Sequence, residues 1–448
     1  MFFPARLRAG LSLTHFPPLM PPPFTISVPW DAPAMVSSNG RHPLPASLIA
    51  DTPEFRFDQT LQPSTPKARA AVERDGFALR DELIALSRGA LDDKVTGSFI
   101  DSRHPESQVA MGARGDLLFL HTAPLTLSRR PWVLHIETAL TLFEPYFGPF
   151  RTWDLELRRH PAYYMIRYLV RHPNCRGIFT HLMHTLDSLP RLFDDERLAD
   201  KIHYAPPGLD LDPSARRLAA AAVERKNARR RNDDFTVLFT NSWGGRGPGF
   251  FKRGGAEALM GFLALLPEFP RSRLILRTAL PESATPTLVA TLRSHPQVEL
   301  HENAVSETKL FELLARADVF LLPSASLHTL SLLRAMAFGA VVVTTDVAAV
   351  EEFVAHDATG LILPMRHGVT WRYDAALGLL RERGAPLVGT NSELAAAVTG
   401  ALRSLAEDPA RAARLRQAAR TRVELAHAMS PWRDSFHTML RTVLRPAR

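Results

Sequence analysis

The feature that most constrains the fold is a regular alternation of apolar runs and helical stretches between about Phe235 and Met365. Runs such as VFLLP and AVVVT are apolar along their whole length, as parallel strands buried on both faces are. Strands that alternate with helices form a parallel sheet with helices on both sides. We therefore predict a doubly wound α/β domain. Its six strands are FTVLFTNS, RLILRT, VELHE, ADVFLLPS, AVVVTTD and GLILP, with helices from Gly255, Thr285, Glu307, His328 and Val347.

A less regular alternation occupies the first half of the chain. After a helical segment from about Thr65 come the strand-like runs VTGSFID, GDLLFLHTA, PWVLHIET, RGIFTHL and KIHYAPPG. A chain of 448 residues suits two domains rather than one core. We predict a Rossmann-like domain at 61–213. Residues 1–60 are rich in proline and short of periodic patterning, so we predict a low-order extension there, with FTISV (24–28) as a candidate first strand.

The boundary between the two halves falls in a polar, basic and alanine-rich stretch. We predict an exposed linker helix at 214–234, a second domain at 235–429, a helical region over 391–448 and an inserted segment at 366–386. The basic side chains could contact nucleic acid or anionic lipid, although a solvated helix face is the commoner explanation of such a run. They are Arg216, Arg217, Arg225, Lys226, Arg229, Arg230 and Arg231. Aromatic residues are not interleaved with them, so we expect no nucleic-acid partner.

Charge and cysteine usage narrow the setting. The chain carries 54 Lys and Arg against 46 Asp and Glu, and this net charge of +8 modestly favours anionic partners such as nucleotide phosphates. Cys175 is the only cysteine, so no intrachain disulfide is possible and the reducing cytosol is the default. No run reaches the roughly 18 apolar residues of a membrane span. We expect a cytoplasmic protein, with peripheral contact at the inner face of the membrane left open.

The loop NSWGGRGPGFFKRGG (241–255) has the composition of a phosphate-binding loop. Glycines such as Gly245 let the backbone approach a ligand, and Arg246 and Lys252 stand six positions apart, directly before a helix. Arg offers bidentate hydrogen bonds, Lys a compact charge, and the helix N-terminus free N–H groups. We predict phosphate binding here. A flexible glycine-rich turn with incidental charges is the alternative.

A second loop, LLPSASLHTLSLLRAMAFG (321–339), carries hydroxyls and an imidazole at a strand end. Ligands of open α/β sheets bind beyond the carboxyl ends of the strands, so this loop is predicted to line the same cleft as Arg246 and Lys252. Helix capping by Ser326 or Thr329 alone would also explain the hydroxyls. The side chains concerned are Ser324, Ser326, His328, Thr329 and Ser331.

Other chemistries lack their usual motifs. The chain has no Walker A sequence, no GxGxxG fingerprint and no GxSxG elbow. One cysteine cannot build a zinc site of the usual Cys spacing, and His181 and His184 could pair on a helix face but have no acidic third ligand nearby. We expect no metal and no cofactor.

Several segments follow one another in a recognisable order. They are APPGLD (205–210), the loop with Arg246 and Lys252, NAVSETKLFELLARADVFLLPS (303–324), RAMAFGAVVVTTD (334–346), VEEFV with ATGLILP, and MSPW (429–432). Over about 200 residues this order resembles the donor-binding half of glycosyltransferase family 4 and related retaining enzymes of the GT-B fold. The resemblance implies two Rossmann-like domains facing across a cleft, with a final helix (430–448) returning to the first domain.

The same resemblance implies a reaction and its residues. A sugar would pass from a nucleotide-sugar donor to a hydroxyl acceptor (a glycan, a lipid-linked molecule or a protein) with retention of configuration. Arg246 and Lys252 would stabilise the leaving diphosphate, and the family usually needs no metal. PWVLHIET resembles the strand that ends in the family's acceptor-side histidine; Glu137 falls at that position and His135 lies two residues earlier. The implied donor-binding residues are Gly245, Val305, Ser324, Ser326, His328, Thr329, Leu330 and Arg334.

The sequence also departs from the family. Two glutamates separated by seven residues are expected near the donor, and counting back from RAMA places Ser326 and Arg334 there. Arg cannot accept hydrogen bonds from ribose hydroxyls, but it could bind a phosphate or an acidic sugar. Arg277 and Thr278 replace the glycines that usually follow the second strand. Either the donor has changed or activity is lost, so a catalytically silent GT-B protein acting as a binding, assembly or regulatory subunit is the alternative. For Glu137 and His135, a surface helix cap and a satisfied core histidine are the structural alternatives.

Overall fold

The computed structural model describes residues 23–29, 43–59, 78, 80–85, 92–102, 115–122, 130–143, 157–231, 233–241, 249–364, 371–374, 379–382 and 391–445. Within these ranges the chain forms two six-stranded parallel sheets and a separate two-stranded hairpin. None of the described helices is long and apolar enough to cross a membrane.

The first sheet is parallel throughout, in the order β2-β1-β3-β4-β5-β6. Its strands are β1 (Phe24–Ser27), β2 (Phe55–Asp58), β3 (Leu117–His121), β4 (Trp132–Ile136), β5 (Cys175–Thr180) and β6 (Ile202–Tyr204). Its helices are α1 (Pro43–Ala46), α2 (Asp93–Ser102), α3 (Pro161–Arg171) and α4 (His184–Phe193), with 3-10 turns at Ala139–Phe143, Leu157–Arg159 and Glu196–Lys201.

Two predictions in this half are wrong. Residues 1–60 are predicted to be low in order, yet β1 and β2 lie within them and pair with each other, which makes the candidate strand FTISV correct. The run VTGSFID is predicted to be a strand but lies in helix α2. The reason is a cap, since the Asp92 carboxylate accepts hydrogen bonds from the backbone N–H groups of Lys94 (2.8 Å) and Val95 (3.1 Å).

The second sheet has the order β12-β11-β10-β7-β8-β9. Its strands are β7 (Thr236–Thr240), β8 (Arg273–Arg277), β9 (Val298–His301), β10 (Val319–Leu322), β11 (Val341–Thr345) and β12 (Gly360–Leu363), and the hairpin is β13 (Trp371–Asp374) with β14 (Leu379–Glu382). All six predicted strands of this half are confirmed. The chain order reverses between β7 and β10, and this switch point is where doubly wound sheets bind ligands.

The helices of this half are α5 (Pro213–Asn227), α6 (Gly249–Lys252), α7 (Gly255–Leu263), α8 (Pro286–Ser294), α9 (Glu307–Arg316), α10 (Thr329–Ala337), α11 (Ser392–Glu407), α12 (Pro409–Ala426) and α13 (Met429–Leu444). The helix predicted from Val347 is only a 3-10 turn at Val350–Glu352, because Ala349 adopts a left-handed φ of 66° that a helix cannot continue through.

The prediction of an exposed linker helix at 214–234 is also wrong, because the helix there is partly buried. Helix α5 packs into the core of the second domain through Ala215, Ala219 and Ala222. Its buried Lys226 donates hydrogen bonds to the carbonyls of Leu314 (3.0 Å) and Phe338 (2.8 Å). These carbonyls end helices α9 and α10, where backbone oxygens lack helical partners. Part of the basic cluster therefore caps helices rather than facing solvent.

Helix α13 returns to the first domain. Trp432, Phe436 and Met439 join the core cluster that includes Phe119 and Phe179 of the first sheet. The Trp432 indole N–H also donates to the Ser47 hydroxyl (3.0 Å). Part of the hydrophobic core of the first domain is thus formed by residues that follow the whole second domain in the chain.

The two domains also meet at the start of α4. The Glu352 carboxylate of the second domain accepts hydrogen bonds from the backbone N–H groups of Met183 (2.7 Å) and His184 (2.8 Å) in the first. The first N–H groups of a helix lack helical partners, and a carboxylate there is favoured by the positive end of the helix dipole. This contact ties the second domain to the first beside the cleft.

Candidate functional site

The described end of the predicted phosphate loop, from Gly249 to Gly255, lies next to the loop that follows β10. Arg246 and Gly245 lie outside the described residues, whereas Lys252 ends helix α6 and is half-buried. The Lys252 carbonyl accepts a hydrogen bond from the N–H of Ala325, in the loop after β10 (2.8 Å). Gly254 has a left-handed φ of 74°, and a Cβ there would lie 2.3 Å from the Pro323 carbonyl oxygen. Only glycine allows this close approach of the two loops.

The hydroxyls of the loop after β10 are gathered around one imidazole. Nε2 of His328 lies 3.1 Å from the Ser324 hydroxyl and 3.2 Å from the Ser326 hydroxyl. Helix α10 begins at Thr329, and His328 at its N-cap makes no side-chain capping bond. The Thr329 hydroxyl is buried and has no hydrogen-bond partner in the part of the chain that the structure describes. Capping by Ser326 or Thr329 therefore does not explain the hydroxyls, which lie beside Lys252 at the edge of the sheet.

Two arginines, one at the end of β8 and one in α10, lie within electrostatic reach of each other. Arg277 ends β8 and is only 8% exposed, and the Nε atoms of Arg277 and Arg334 are both buried with no hydrogen-bond partner among the described residues. Burial lowers the pKa of Arg277, and the positive charge of Arg334 lowers it further. Arg334 forms an ion pair with Glu307 and lies over the Phe311 ring, 5.5 Å from its centroid. Arg277 is thus a buried cation that faces a second cation.

The remaining donor-side predictions are placed at the same edge. Val305 precedes α9 and Leu330 lies in the first turn of α10, and both are half-buried. The structure leaves their proposed contact with a donor as a prediction.

On the first domain, Glu137 directly follows β4. Its side chain is 36% exposed, and its Oε1 lies 3.3 Å from Nε2 of His181. The backbone carbonyl of Glu137 accepts hydrogen bonds from the hydroxyls of Thr180 (3.2 Å) and Thr185 (2.5 Å). The carboxylate is therefore held at the carboxyl edge of the sheet with an imidazole as its neighbour.

His135 is fully buried in β4 and touches two other imidazoles. Its Nδ1 lies 3.2 Å from Nδ1 of His121, and its Nε2 lies 3.2 Å from Nδ1 of His181. Sequence reasoning missed His121, because its pairing with His135 depends on the register of two neighbouring strands, β3 and β4. It also considered His181 with His184. In the structure His181 faces Glu137 and His135, whereas His184 begins α4 beside Glu352.

Arg253 is a further residue that sequence reasoning missed. It follows Lys252, is 5% exposed, and burial lowers its pKa to about 9 while the Glu137 carboxylate raises it. The electrostatic partner of this second-domain cation is thus a first-domain carboxylate. Arg253 brings the acceptor-side and donor-side candidates into one cleft, and its position inside the run KRGG gave no separate signal.

Metal-type side chains do not converge in the part of the chain that the structure describes. No group of three or more His, Cys, Asp or Glu residues there could hold an ion. The imidazoles of His121, His135 and His181 are no exception, because His135 presents a different nitrogen to each of its two neighbours.

The match to a known protein family lies within the second domain. Residues 268–382 match the model of the family Glycosyl transferases group 1. The prediction of a glycosyltransferase domain is confirmed over this segment, which runs from the loop before β8 to the hairpin. No curated protein sequence matches the chain.

Solved structures match the whole chain. The trehalose 6-phosphate synthase of Burkholderia multivorans has a TM-score of 0.54 at 13% identity and covers 95% of this chain and 99% of its own. HepE of Anabaena, in complex with UDP and glucose, has a TM-score of 0.52 at 12% identity and covers 94% and 100%. Sucrose-phosphate synthase of Thermosynechococcus elongatus has a TM-score of 0.52 at 15% identity and covers 94% and 99%. The predicted GT-B fold, with two Rossmann-like domains, is confirmed.

Proposed function

We propose that the protein transfers a sugar from a nucleotide-sugar to a hydroxyl acceptor in the cleft between its two sheets. The observation that carries the proposal is the hydrogen bond that joins the Lys252 loop to the loop after β10 at the switch point. The neighbouring Arg253 interacts electrostatically with Glu137 of the other domain. This geometry offers cations on one side of the cleft and a carboxylate on the other. The group 1 match and the complex of HepE with UDP and glucose support the assignment.

On the donor side, Arg246 and Lys252 would hold the diphosphate and stabilise its charge as it leaves. Cations aimed at the developing charge of a leaving group lower the barrier of its departure. The start of α10 lies near Lys252, and a helix N-terminus favours a phosphate. With these cations in place we expect no metal requirement. We propose retention of configuration, with the departing diphosphate assisting removal of the acceptor proton.

The arginine pair suggests which donor is used. Arg277 is buried without a carboxylate partner among the described residues, and the family resemblance implies that Arg334 replaces a glutamate expected near the ribose hydroxyls. A buried unpaired cation is costly unless an anion reaches it. We propose that a donor bearing an additional anionic group, such as a sugar carboxylate, places that group against Arg277 and Arg334.

On the acceptor side, Glu137 is the better candidate of the two predicted residues. Its side chain is partly exposed toward the cleft, whereas His135 is 0% exposed and uses both ring nitrogens on other imidazoles. A residue that touches a substrate must be accessible to it. We therefore propose that Glu137 orients the acceptor hydroxyl, and that His135 acts indirectly through its contacts with the neighbouring imidazoles.

Lys252→Ala tests the proposal, with Lys309→Ala on the exposed face of α9 as the matched control. A thermal-shift screen against UDP, GDP, ADP and their sugars first identifies the donor, since a ligand of the native state raises its stability. Transfer from that donor should be lost in Lys252→Ala and kept in Lys309→Ala, with both variants folded. Undiminished transfer by Lys252→Ala would refute the assignment.

The family match does not favour the alternative of a catalytically silent binding subunit. The same screen decides between the two. Transfer or donor hydrolysis by the wild type with any nucleotide-sugar rejects the silent subunit, and binding without turnover across the panel supports it.

A further inference from the structure

A chain of three imidazoles links the Glu137 carboxylate to Thr122 across the first sheet. Nε2 of His181 lies 3.3 Å from the carboxylate, Nδ1 of His181 lies 3.2 Å from Nε2 of His135, and Nδ1 of His135 lies 3.2 Å from Nδ1 of His121. The Thr122 hydroxyl lies 3.2 Å from Nε2 of His121. Each of the three rings thus has both of its nitrogens within reach of a polar neighbour in the chain.

The rings at the centre of this imidazole chain are sealed from water. His135 and His181 are both fully buried, and the Trp432 ring of α13 stands edge-on to them, with centroids 6.1 Å and 6.3 Å away. The two ends are open by comparison, since Glu137 is partly exposed and His121 and Thr122 are half-buried. A buried polar group that lacks a partner is costly, so the protons of the inner rings must be placed consistently.

For three neutral rings and an ionised Glu137, one arrangement of protons satisfies every contact of the imidazole chain. A carboxylate only accepts, so Nε2 of His181 must carry its proton toward the carboxylate 3.3 Å away, although the two groups do not have the alignment of a hydrogen bond. Nδ1 of His181 then accepts from Nε2–H of His135, and Nδ1 of His135 accepts from Nδ1–H of His121. Nε2 of His121 is left to accept from the Thr122 hydroxyl. All donors point toward Glu137.

The backbone conformation of Thr122 supports a functional role for this end of the imidazole chain. It has a left-handed φ of 65°, which is rare for a β-branched residue, and its backbone N–H donates to the His135 carbonyl (2.8 Å). Backbone strain of this kind persists only where the surroundings impose it, and it clusters at functional sites.

We propose that His181 is the positioning residue for Glu137, and that His135 and His121 lock its tautomer so that the carboxylate is held toward the acceptor. The proposal rests on the proposed function, in which Glu137 orients the acceptor hydroxyl. It assigns a role to His121, which no sequence motif indicated, and makes His135 a positioning residue rather than a catalytic one. The most specific consequence of the proposal is that His121 carries its proton on Nδ1. A neutral His121 with its proton on Nε2 could not donate from Nδ1 to His135.

Nitrogen-15 NMR of the labelled full chain reads these tautomers directly. His181 and His135 should be neutral with the proton on Nε2, and His121 neutral with the proton on Nδ1. Glu137→Ala removes the group that directs the chain, so His121 should then show a mixture of tautomers. His121 protonated on Nε2 in the wild type, or unchanged in Glu137→Ala, would overturn the proposal.

Kinetics with two substitutions at one position test the role of His181. A glutamine amide can still accept from His135 and donate to Glu137, whereas leucine can do neither. We expect His181→Gln to keep kcat/KM for the acceptor within a few-fold and His181→Leu to lose about 10–100-fold, with the donor KM unchanged in both. His203→Gln on β6, outside the imidazole chain, is the control. Equal losses in Gln and Leu variants would contradict a positioning role.

The two measurements separate the failure of this inference from that of the proposed function. If no transfer is found but the predicted tautomers are, the imidazole chain stands and the proposed reaction fails. If transfer is found while His121 carries its proton on Nε2, the reaction stands and the imidazole chain fails.

Discussion

Gly254 is the residue on which the meeting of the two second-domain loops depends. Its φ of 74° and the 2.3 Å approach that a Cβ would make to the Pro323 carbonyl leave no room for a side chain. We expect Gly254→Ala to destabilise the protein by more than about 1–2 kcal/mol, the cost of left-handed backbone for an L residue. Donor affinity should fall as well, because Lys252 would shift. Chemical denaturation and thermal-shift titration measure the two effects.

Gly400 is the matched control. It lies in helix α11 with open space where a Cβ would be, so Gly400→Ala should stabilise the protein by about 0.5–1 kcal/mol. A Gly254→Ala variant as stable as wild type would show that the loops can separate without cost.

Arg277 should trade stability for binding. As a buried cation facing Arg334, it costs free energy in the unliganded protein. We expect Arg277→Leu to raise Tm and to weaken binding of a nucleotide-sugar with a carboxylate more than binding of its neutral counterpart. Calorimetry and donor titration check both parts. A lower Tm with unchanged donor preference would show that Arg277 is a structural residue.

Residue identities at the site were only partly predictable. Lys252, Ser324, Ser326 and His328 could be placed at one sheet edge because each follows a legible strand. Arg253 could not be distinguished from its neighbours, since its importance comes from a carboxylate in the other domain. The imidazole chain was equally hidden, because it depends on β3 lying beside β4 and on the register of that pair.

At the scale of elements, the strands of the second sheet were predictable and some of the first were not. VFLLP and AVVVT are apolar throughout because both faces are buried, and their shortness and β-branched content favour strands over helices. β2 is only four residues long, with Phe55 and Phe57 inward, and lies in a proline-rich context where so short a pattern carries little weight. The sequence of α5 resembles a linker because the helix buries mainly alanines and the aliphatic part of Lys226 rather than large apolar side chains.

The contact between β9 and α9 predicts a pH dependence of stability. Hydrogen bonds from the Arg316 guanidinium, with help from His301, lower the pKa of Glu299 from 4.5 to about 2. A carboxylate with a lowered native pKa contributes stability above its unfolded pKa and loses it as pH falls toward the native value. We expect the Tm advantage of wild type over Glu299→Gln to be full above pH 5 and to shrink between about pH 4.5 and 2.

Arg316→Leu provides the control for that prediction. In this background the lowering of the Glu299 pKa loses its main cause, so the pH dependence of the difference should largely disappear. A difference that keeps its pH profile without Arg316 would assign the effect to another group.

At the scale of the whole molecule, Glu352 is expected to control how closely the domains approach. Its carboxylate caps α4 of the opposite domain, and Arg422 donates to its backbone carbonyl. Glu352→Ala removes the two hydrogen bonds by which this turn contacts the opposite domain, so the domains should separate more readily. We expect a larger radius of gyration by solution scattering and a higher donor KM.

Glu351 is the adjacent control, exposed on the same turn. Glu351→Ala should leave the radius of gyration and the donor KM unchanged. If the two variants behave alike, the charge of the turn matters and the cap does not.

The return of α13 has a consequence for biosynthesis. Trp432, Phe436 and Met439 supply part of the first domain's core, yet they leave the ribosome after the whole second domain. Domains made first usually fold first. Here the order is inverted: the second domain can complete its sheet and helices during synthesis, while the first must wait with Phe119 and Phe179 incompletely covered. A nascent chain stalled before Met429 should therefore be protease-resistant in its second half and sensitive in its first.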